Sequence, residues 1–308
     1  MMLATVYKST GSWYKIKTED GAWLNARTAG KLRLKGIKST NPIAVGDLVE
    51  IRIEKELENQ AIIIGIEDRK NYLVRKSNKL SKHSQVLAAN IDLLLIIASL
   101  KEPETSLGFI DRCTVSAIAY NVKPIICFNK TDIWDEADWG IFKELLNIYS
   151  KASIEVIHSS CYKEGGMEAL KETIKLKRVL LSGHSGVGKS SILNALNPKI
   201  DAKVGAISQT QLRGKHTTTF AEMFELDGDT QVIDTPGIRD FGIIDITAEE
   251  LPNYFPEMFG LLGQCKYYNC KHINEPECAV INALQDESVP SSRYHSYLSI
   301  LENDNVFD

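Results

Sequence analysis

Gly183-His184-Ser185-Gly186-Val187-Gly188-Lys189-Ser190 is the stretch that decides the fold. It fits G-x-x-x-x-G-K-[ST], a loop whose backbone N–H groups close around phosphate oxygens. The apolar run Val179-Leu180-Leu181 precedes it, and a helix-like Ser191-Ile192-Leu193-Asn194-Ala195-Leu196 follows. The motif needs that strand–loop–helix order, because a helix start adds unpaired donors and a positive dipole end. Gly183, Ser185, Gly186, Val187 and Gly188 are expected to form the phosphate cradle, with Ser191 beside it. Lys189 would reach the β- and γ-phosphates, and the Ser190 hydroxyl would ligate Mg²⁺.

Asp234-Thr235-Pro236-Gly237 follows a second apolar strand, Val232-Ile233. An acid at a strand end can hold Mg²⁺ through water, and the Gly237 N–H can meet a γ-phosphate. Between the two motifs lies Arg213-Gly214-Lys215-His216-Thr217-Thr218-Thr219. A threonine hydroxyl here, with Thr219 the working choice, is a further Mg²⁺ ligand. Three threonines in a row leave that choice open.

Asn129-Lys130-Thr131-Asp132 follows the strand Pro124–Phe128. N-K-x-D at a strand end suits guanine. The Asp132 carboxylate accepts from guanine N1–H and the 2-amino group, a donor pair that adenine lacks. Asn129 serves the acceptor side of the base, and the Lys130 stem lies over the ring. Ser159 and Ser160, after the strand Ile154–Ile157, are candidates for an N–H to guanine O6. In ordinary GTPases the phosphate loop comes first. Here the base-reading motif precedes it, so the parts assemble only in a circularly permuted domain, which nearby termini make tolerable.

Working outward, 308 residues suit about two or three domains. Apolar runs stay well short of the ~18–20 residues of a membrane span. The N-terminus lacks a signal-peptide pattern. Six cysteines then suit reduced thiols or a metal site rather than a disulfide scaffold. The net charge of −4 is unevenly spread. Gly21 to Gly46 holds no acid but carries Arg27, Lys31, Arg33, Lys35 and Lys38. A basic block on an acidic chain is either an electrostatic footprint for a polyanion or a solvated lysine-rich face.

Residues 1–67 read as five short strands: Ala4–Tyr7, Trp13–Lys17, Ala22–Ala26, Leu48–Ile53 and Ala61–Ile66. They suit a small barrel, OB-fold or SH3-like. Trp13, Tyr14 and Trp23 are either base-stacking or sheet-core aromatics. Residues 68–240 alternate strands and helices, an α/β domain. Residues 241–308 read as helical and acidic. There Cys265, Cys270, His272 and Cys278 are spaced C-x4-C-x-H-x5-C. Three sulfurs and one imidazole suit a closed, structural Zn²⁺ site with no open position for catalysis. Cys113, Cys127 and Cys161 read as core or incidental.

The basic barrel, permuted GTPase and zinc module, in this order, resemble the RsgA family (ribosome small subunit-dependent GTPase A, also YjeQ or YloQ). Asn129–Asp132, Gly183–Ser191, Gly214–Thr219, Asp234–Arg239 and Cys265–Cys278 carry the resemblance. It implies an N-terminal OB domain and late maturation of the bacterial 30S subunit, which stimulates GTP hydrolysis. It also implies that His216, the histidine before the threonine run, is the catalytic group. The residues by themselves point to a stimulated enzyme: Ile238 follows Gly237 where Ras-like proteins place a water-orienting Gln, so the missing group comes from elsewhere in the chain or from a partner. Intrinsic hydrolysis should therefore be slow. The family loop often has Arg where Lys215 stands, which loses bidentate hydrogen bonding.

The expectation is a cytoplasmic, monomeric, Mg²⁺-dependent GTPase with one structural Zn²⁺. It would bind GTP and GDP, dock on 16S rRNA of the 30S subunit and have no membrane association. The alternative is a nucleotide-gated RNA-binding or scaffold protein with little turnover.

Overall fold

The computed structural model describes residues 2–29, 42–54, 59–76, 84–200, 221–227, 229–235 and 246–303. Five strands build the N-terminal barrel: β1 (Met2–Ser9), β2 (Tyr14–Thr18), β3 (Trp23–Thr28), β4 (Leu48–Ile53) and β5 (Gln60–Ile66). Apolar and polar residues alternate along them, so each strand turns one face inward. Val6, Tyr14, Ile16, Ala26, Val49 and Ile63 meet in the middle. β1 pairs with both β2 and β4, β2 with β3, and β4 with β5, all antiparallel. β3 and β5 are parallel. The sheet closes as 1-2-3-5-4-1, the OB arrangement, which decides between the two barrels that the sequence left open.

A hairpin not foreseen from sequence follows: β6 (Tyr72–Lys76) against β7 (Ser84–Ala89). Arg69 ties the barrel to its start, clamping both Asp47 carboxylate oxygens at 2.7 Å and donating to the Pro42 carbonyl.

The central sheet runs β10 (Glu155–His158), β9 (Lys123–Phe128), β8 (Leu93–Ala98), β11 (Arg178–Ser182), β13 (Gln231–Asp234), β12 (Glu222–Glu225). The first five are parallel and β12 is antiparallel. All six residues of β8 are buried, as expected of a parallel strand covered on both faces. Leu94, Ile96 and Ala98 face one core with helices α1 (Leu107–Ala119) and α2 (Glu136–Lys151). Leu93, Leu95 and Ile97 face the other, with α3 (Glu168–Ile174) and α4 (Lys189–Leu196). Successive connections from β8 and β11 lead to opposite sides of the sheet. Their carboxyl ends therefore flank the kind of crevice where ligands bind in open α/β sheets. α2 begins where sequence chemistry dictates: Asp135 and Asp138 form a reciprocal capping box.

The C-terminal module holds α5 (Pro256–Phe259), α6 (Ala279–Asn282) and α7 (Ser291–Asn303). It packs on α1 through Val115 and Ala119. At that contact Arg293 is fully buried (0% exposed). Its guanidinium donates to Glu257 and to Asp111, both at 2.6 Å. The Tyr149 hydroxyl also donates to Asp111, at 2.9 Å. One cation thus joins the module to α1 and α2. β12 in turn pairs with β1, so barrel and nucleotide sheet form one continuous sheet.

Candidate functional site: a nucleotide crevice and a cysteine–histidine cluster

The phosphate loop leaves β11 at Gly183, whose φ is +144°. A Cβ there would fall 2.3 Å from the Ile97 carbonyl oxygen of β8. Val187 is buried among the apolar residues under α4 and anchors the middle of the loop. Ser185 and Gly186 are exposed at the rim, and Ser190 and Ser191 are half-buried in the first turn of α4. Gly188 caps that helix without a side-chain acceptor, which leaves its first N–H groups open to an anion.

Lys189 folds back over the loop. Its ammonium donates to the carbonyls of Gly183 (2.5 Å) and His184 (2.7 Å). Burial pushes its pKa down, against the pull of Asp234. Burial pushes Asp234 up, against the pull of Lys189. The two charges therefore sense each other in a poorly solvated pocket, as a site for a phosphate and a divalent cation requires. Beside them the Thr235 hydroxyl is buried without a hydrogen-bond partner. The donor set Ser190 and Asp234 thus fits a hard cation such as Mg²⁺.

The base-reading loop follows β9. The Asn129 N–H donates to the Ala98 carbonyl, and the Ser159 N–H to that of Phe128. The Asn129 side-chain amide donates to the Val187 carbonyl at 2.9 Å and accepts from the Ser159 hydroxyl at 3.0 Å. Ser160 donates to the Asp132 carboxylate at 2.6 Å. Lys130 takes a left-handed backbone conformation, φ +68°, and its ammonium donates to the Glu102 carbonyl. Asn129, Lys130, Asp132, Ser159 and Ser160 thus converge on one edge of the crevice, joined to the phosphate loop through Val187.

In the C-terminal module the ligand atoms of Cys265, Cys270, His272 and Cys278 lie within 4.8 Å of one another. His272 Nδ1 is 3.6 Å from Cys265 Sγ and 3.3 Å from Cys278 Sγ, and the two sulfurs are 3.9 Å apart. A tetrahedron with Zn–S bonds of ~2.3 Å has edges of roughly 3.8 Å, so the donor set fits zinc. The Ala279 N–H points at Cys265 Sγ, and the Tyr294 hydroxyl fixes the His272 carbonyl. Glu275 accepts the N–H groups of Lys271, Ile273 and Asn274. Burial opposes its ionisation, but these donors prevail and hold its carboxyl at about 2.

His216, Thr219 and Gly237 lie outside the described residues, as do Lys31 to Lys38 of the basic block. Of the three barrel aromatics, Trp13 (44%) and Trp23 (40%) are exposed. Tyr14 belongs to the barrel core, because it falls on the inward phase of β2. Cys113 and Cys127 are buried, the latter's thiol pushed up to about 12 by burial. The Arg293 network and the link from Lys130 to Glu102 were not legible in sequence. The one available sign was a lone arginine in an acidic tail.

A parallel sheet carrying a phosphate loop and a guanine-type N-K-x-D loop in inverted chain order defines a circularly permuted GTPase. Comparison with known proteins is consistent over the full length. The RsgA N-terminal domain model matches residues 4–63, and the RsgA GTPase model matches 66–244. The small ribosomal subunit biogenesis GTPase RsgA of Bacteroides fragilis is 47% identical over 98% of this chain and 97% of its own. That of Flavobacterium psychrophilum is 46% identical, over 98% and 93%. The crystal structure of YjeQ from Thermotoga maritima superposes with a TM-score of 0.78 at 32% identity, covering 97% of both chains. YloQ, described as a circularly permuted GTPase, gives 0.72 at 26% identity, covering 98% of this chain and 94% of that one. The chain belongs to the RsgA GTPase family.

Proposed function

We propose that this chain is a cytoplasmic, Mg²⁺-dependent GTPase that acts in maturation of the bacterial 30S subunit and is stimulated by it. The observation that carries the nucleotide reading is the Asn129–Val187 hydrogen bond. It joins base-reading and phosphate loops that the sequence presents in reverse order. Asp132 selects guanine, and Lys189 with the open start of α4 stabilises charge on the transferred phosphoryl group. Ser190, Asp234 and Thr219 would hold Mg²⁺, which would supply charge neutralisation for the triphosphate. Gly237 senses the γ-phosphate, and His216 orients the attacking water. Cys265, Cys270, His272 and Cys278 hold one Zn²⁺, which cross-links a module with a small core of its own. The barrel, residues 1–67, docks on 16S rRNA. The nucleotide domain spans 68–240 and the zinc module 241–308. The chain works as a monomer away from membranes; among the described residues no helix is long and apolar enough to cross one.

The test is turnover of GTP and ATP by the purified protein, with and without 30S and 70S particles. GTP-specific stimulation by 30S is expected. Tight nucleotide binding without turnover on any particle would favour a nucleotide-gated RNA-binding protein instead. Full 30S-stimulated turnover by His216→Ala would remove that residue from the mechanism.

A further inference from the structure

The barrel and the nucleotide sheet meet along one polar seam. Lys8 on β1 stands opposite Glu222 on β12, and their charges meet at 2.6 Å. At the other end of β12, Glu225 accepts from the Tyr7 hydroxyl and from the Lys17 ammonium, both at 2.6 Å. The Tyr7 oxygen accepts from Gln231 Nε2 at 2.9 Å. Gln231 accepts from Arg178, which also donates to the Gly46 carbonyl of the barrel. Gln231 starts β13 and Arg178 starts β11, the strands that end at Asp234 and at the phosphate loop. Burial works against Glu225, but Lys17 and Tyr7 outweigh it and keep its carboxyl below the ordinary range.

Trp23 lies on this seam. Its ring meets Tyr7 edge to face at 4.7 Å. The ammonium groups of Lys15 and Lys17 lie 4.6 and 5.5 Å from its centroid. Lys17 and Trp23 are cross-strand partners, and the alternation of β2 and β3 turns Lys15, Lys17, Trp23 and Asn25 outward together. A half-exposed indole among cations and an amide is poor surface for water alone. It matches a nucleobase with its phosphates: the π-face takes any base, and the ammonium groups take the backbone.

We propose that this wall takes an unpaired RNA segment, a base on Trp23 and phosphates on Lys15 and Lys17, and that Lys17 thereby exchanges Glu225 for phosphate. The inference rests on the reading of the barrel as the RNA-docking module. It adds a route inward. When Lys17 turns to RNA, the Glu225 carboxylate keeps only Tyr7 while its carbonyl stays with the Asn197 amide, and the end of β12 is held less firmly. β12 pairs with β13 along its length, with Glu222 opposite Asp234 at the cation position. Linkage then requires that nucleotide state alter RNA affinity by the same factor that RNA alters nucleotide affinity.

The experiment uses the full chain and a labelled, mixed-sequence single-stranded oligoribonucleotide, read by fluorescence anisotropy. Binding is measured with GDP and with a non-hydrolysable GTP analogue. Trp23→Ala should weaken binding about tenfold, and Trp23→Phe should keep most of it. The charge swap Lys17→Glu with Glu225→Lys restores the ion pair but not the acceptor for the Tyr7 hydroxyl, so its melting temperature should lie a little below wild type while its RNA affinity stays low. The wild-type affinities in the two nucleotide states should differ about fivefold or more, and Glu225→Gln should bring that ratio toward one. Unchanged binding by Trp23→Ala, or full RNA affinity in the swap, would overturn the proposal, making Lys17 only a strut. A ratio preserved in Glu225→Gln would overturn the inward route. In each of these cases the wild type still binds RNA in a salt-sensitive way, and the docking reading stands. A wild type that binds neither the oligoribonucleotide nor 30S particles would overturn that reading as well.

Discussion

Gly188 and Asn129 sit so close that a Cβ on the glycine would fall 2.3 Å from the asparagine amide nitrogen. That nitrogen already donates to the Val187 carbonyl, and the Asn129 oxygen already accepts from Ser159. The asparagine therefore has no room to retreat, and the glycine's φ of +101° adds backbone strain for any replacement. Gly188→Ala should weaken binding of a fluorescent GDP analogue at least tenfold, about 1.4 kcal/mol. Far-UV circular dichroism should stay near wild type.

Asp132 accepts from Ser160 at one carboxylate oxygen, which orients the side chain for a base that brings donors. Asp132→Asn replaces an acceptor by an amide with its own N–H. GTP affinity should fall on the order of a hundredfold, since two charge-assisted hydrogen bonds weaken. Xanthosine triphosphate, which offers a carbonyl where guanine has its 2-amino group, should gain affinity in the variant. Competition binding with GTP, XTP and ATP checks both signs.

Arg293 neutralises two buried carboxylates at once. Arg293→Met keeps much of the apolar stem but strands Asp111 and Glu257 without their cation. Breaking such a pair from one side costs about 3–5 kcal/mol. Urea unfolding should show that loss, and protease sensitivity should rise first in residues 246–303.

The cysteine–histidine cluster joins segments with little regular structure between them, from Cys265 to Cys278. Removing the metal with a chelator, or substituting Cys270→Ser, should loosen the module that Tyr294 and Tyr297 pack against. Hydrogen exchange should speed up there while the central sheet stays protected. Metal analysis of the purified protein should find one zinc per chain, and less in the variant.

Glu225 faces Lys17 and Tyr7, with Gln231 and Arg178 behind them. Its folded carboxyl lies below the ordinary range, although burial opposes this. The ionised form therefore adds stability above that range, and the gain is lost as pH falls through the lowered value. Glu225→Gln should melt below wild type near neutral pH. The two curves should converge in acid.

Strand positions were legible in sequence where pattern is strong. The barrel strands alternate, and β8 to β11 are short apolar runs after turn signals, so periodicity found them. The strands β6 and β12 were not legible: Tyr72–Lys76 and Glu222–Glu225 carry charges, lack a clean apolar alternation, and gain their strand character from pairing with β7 and with β13. The nucleotide motifs were legible because phosphate and guanine each demand particular residues at fixed spacing. Arg293, Tyr7 and Arg178 were not, because their partners lie more than thirty residues away, from Glu257 to Asp111 in the case of Arg293. Tyr14 could be placed only once the phase of β2 was known.

The pairing of β1 with β12 also bears on how the chain can be cut. β12 would otherwise be a bare sheet margin, with its N–H and C=O groups free to recruit another chain. The barrel meets that margin at Lys8 and Glu222, so a nucleotide domain expressed without residues 1–67 should expose more of it. On that account the N-terminal module would double as a guard against self-association, and a shortened protein that precipitates would be reporting a lost neighbour rather than a damaged active centre.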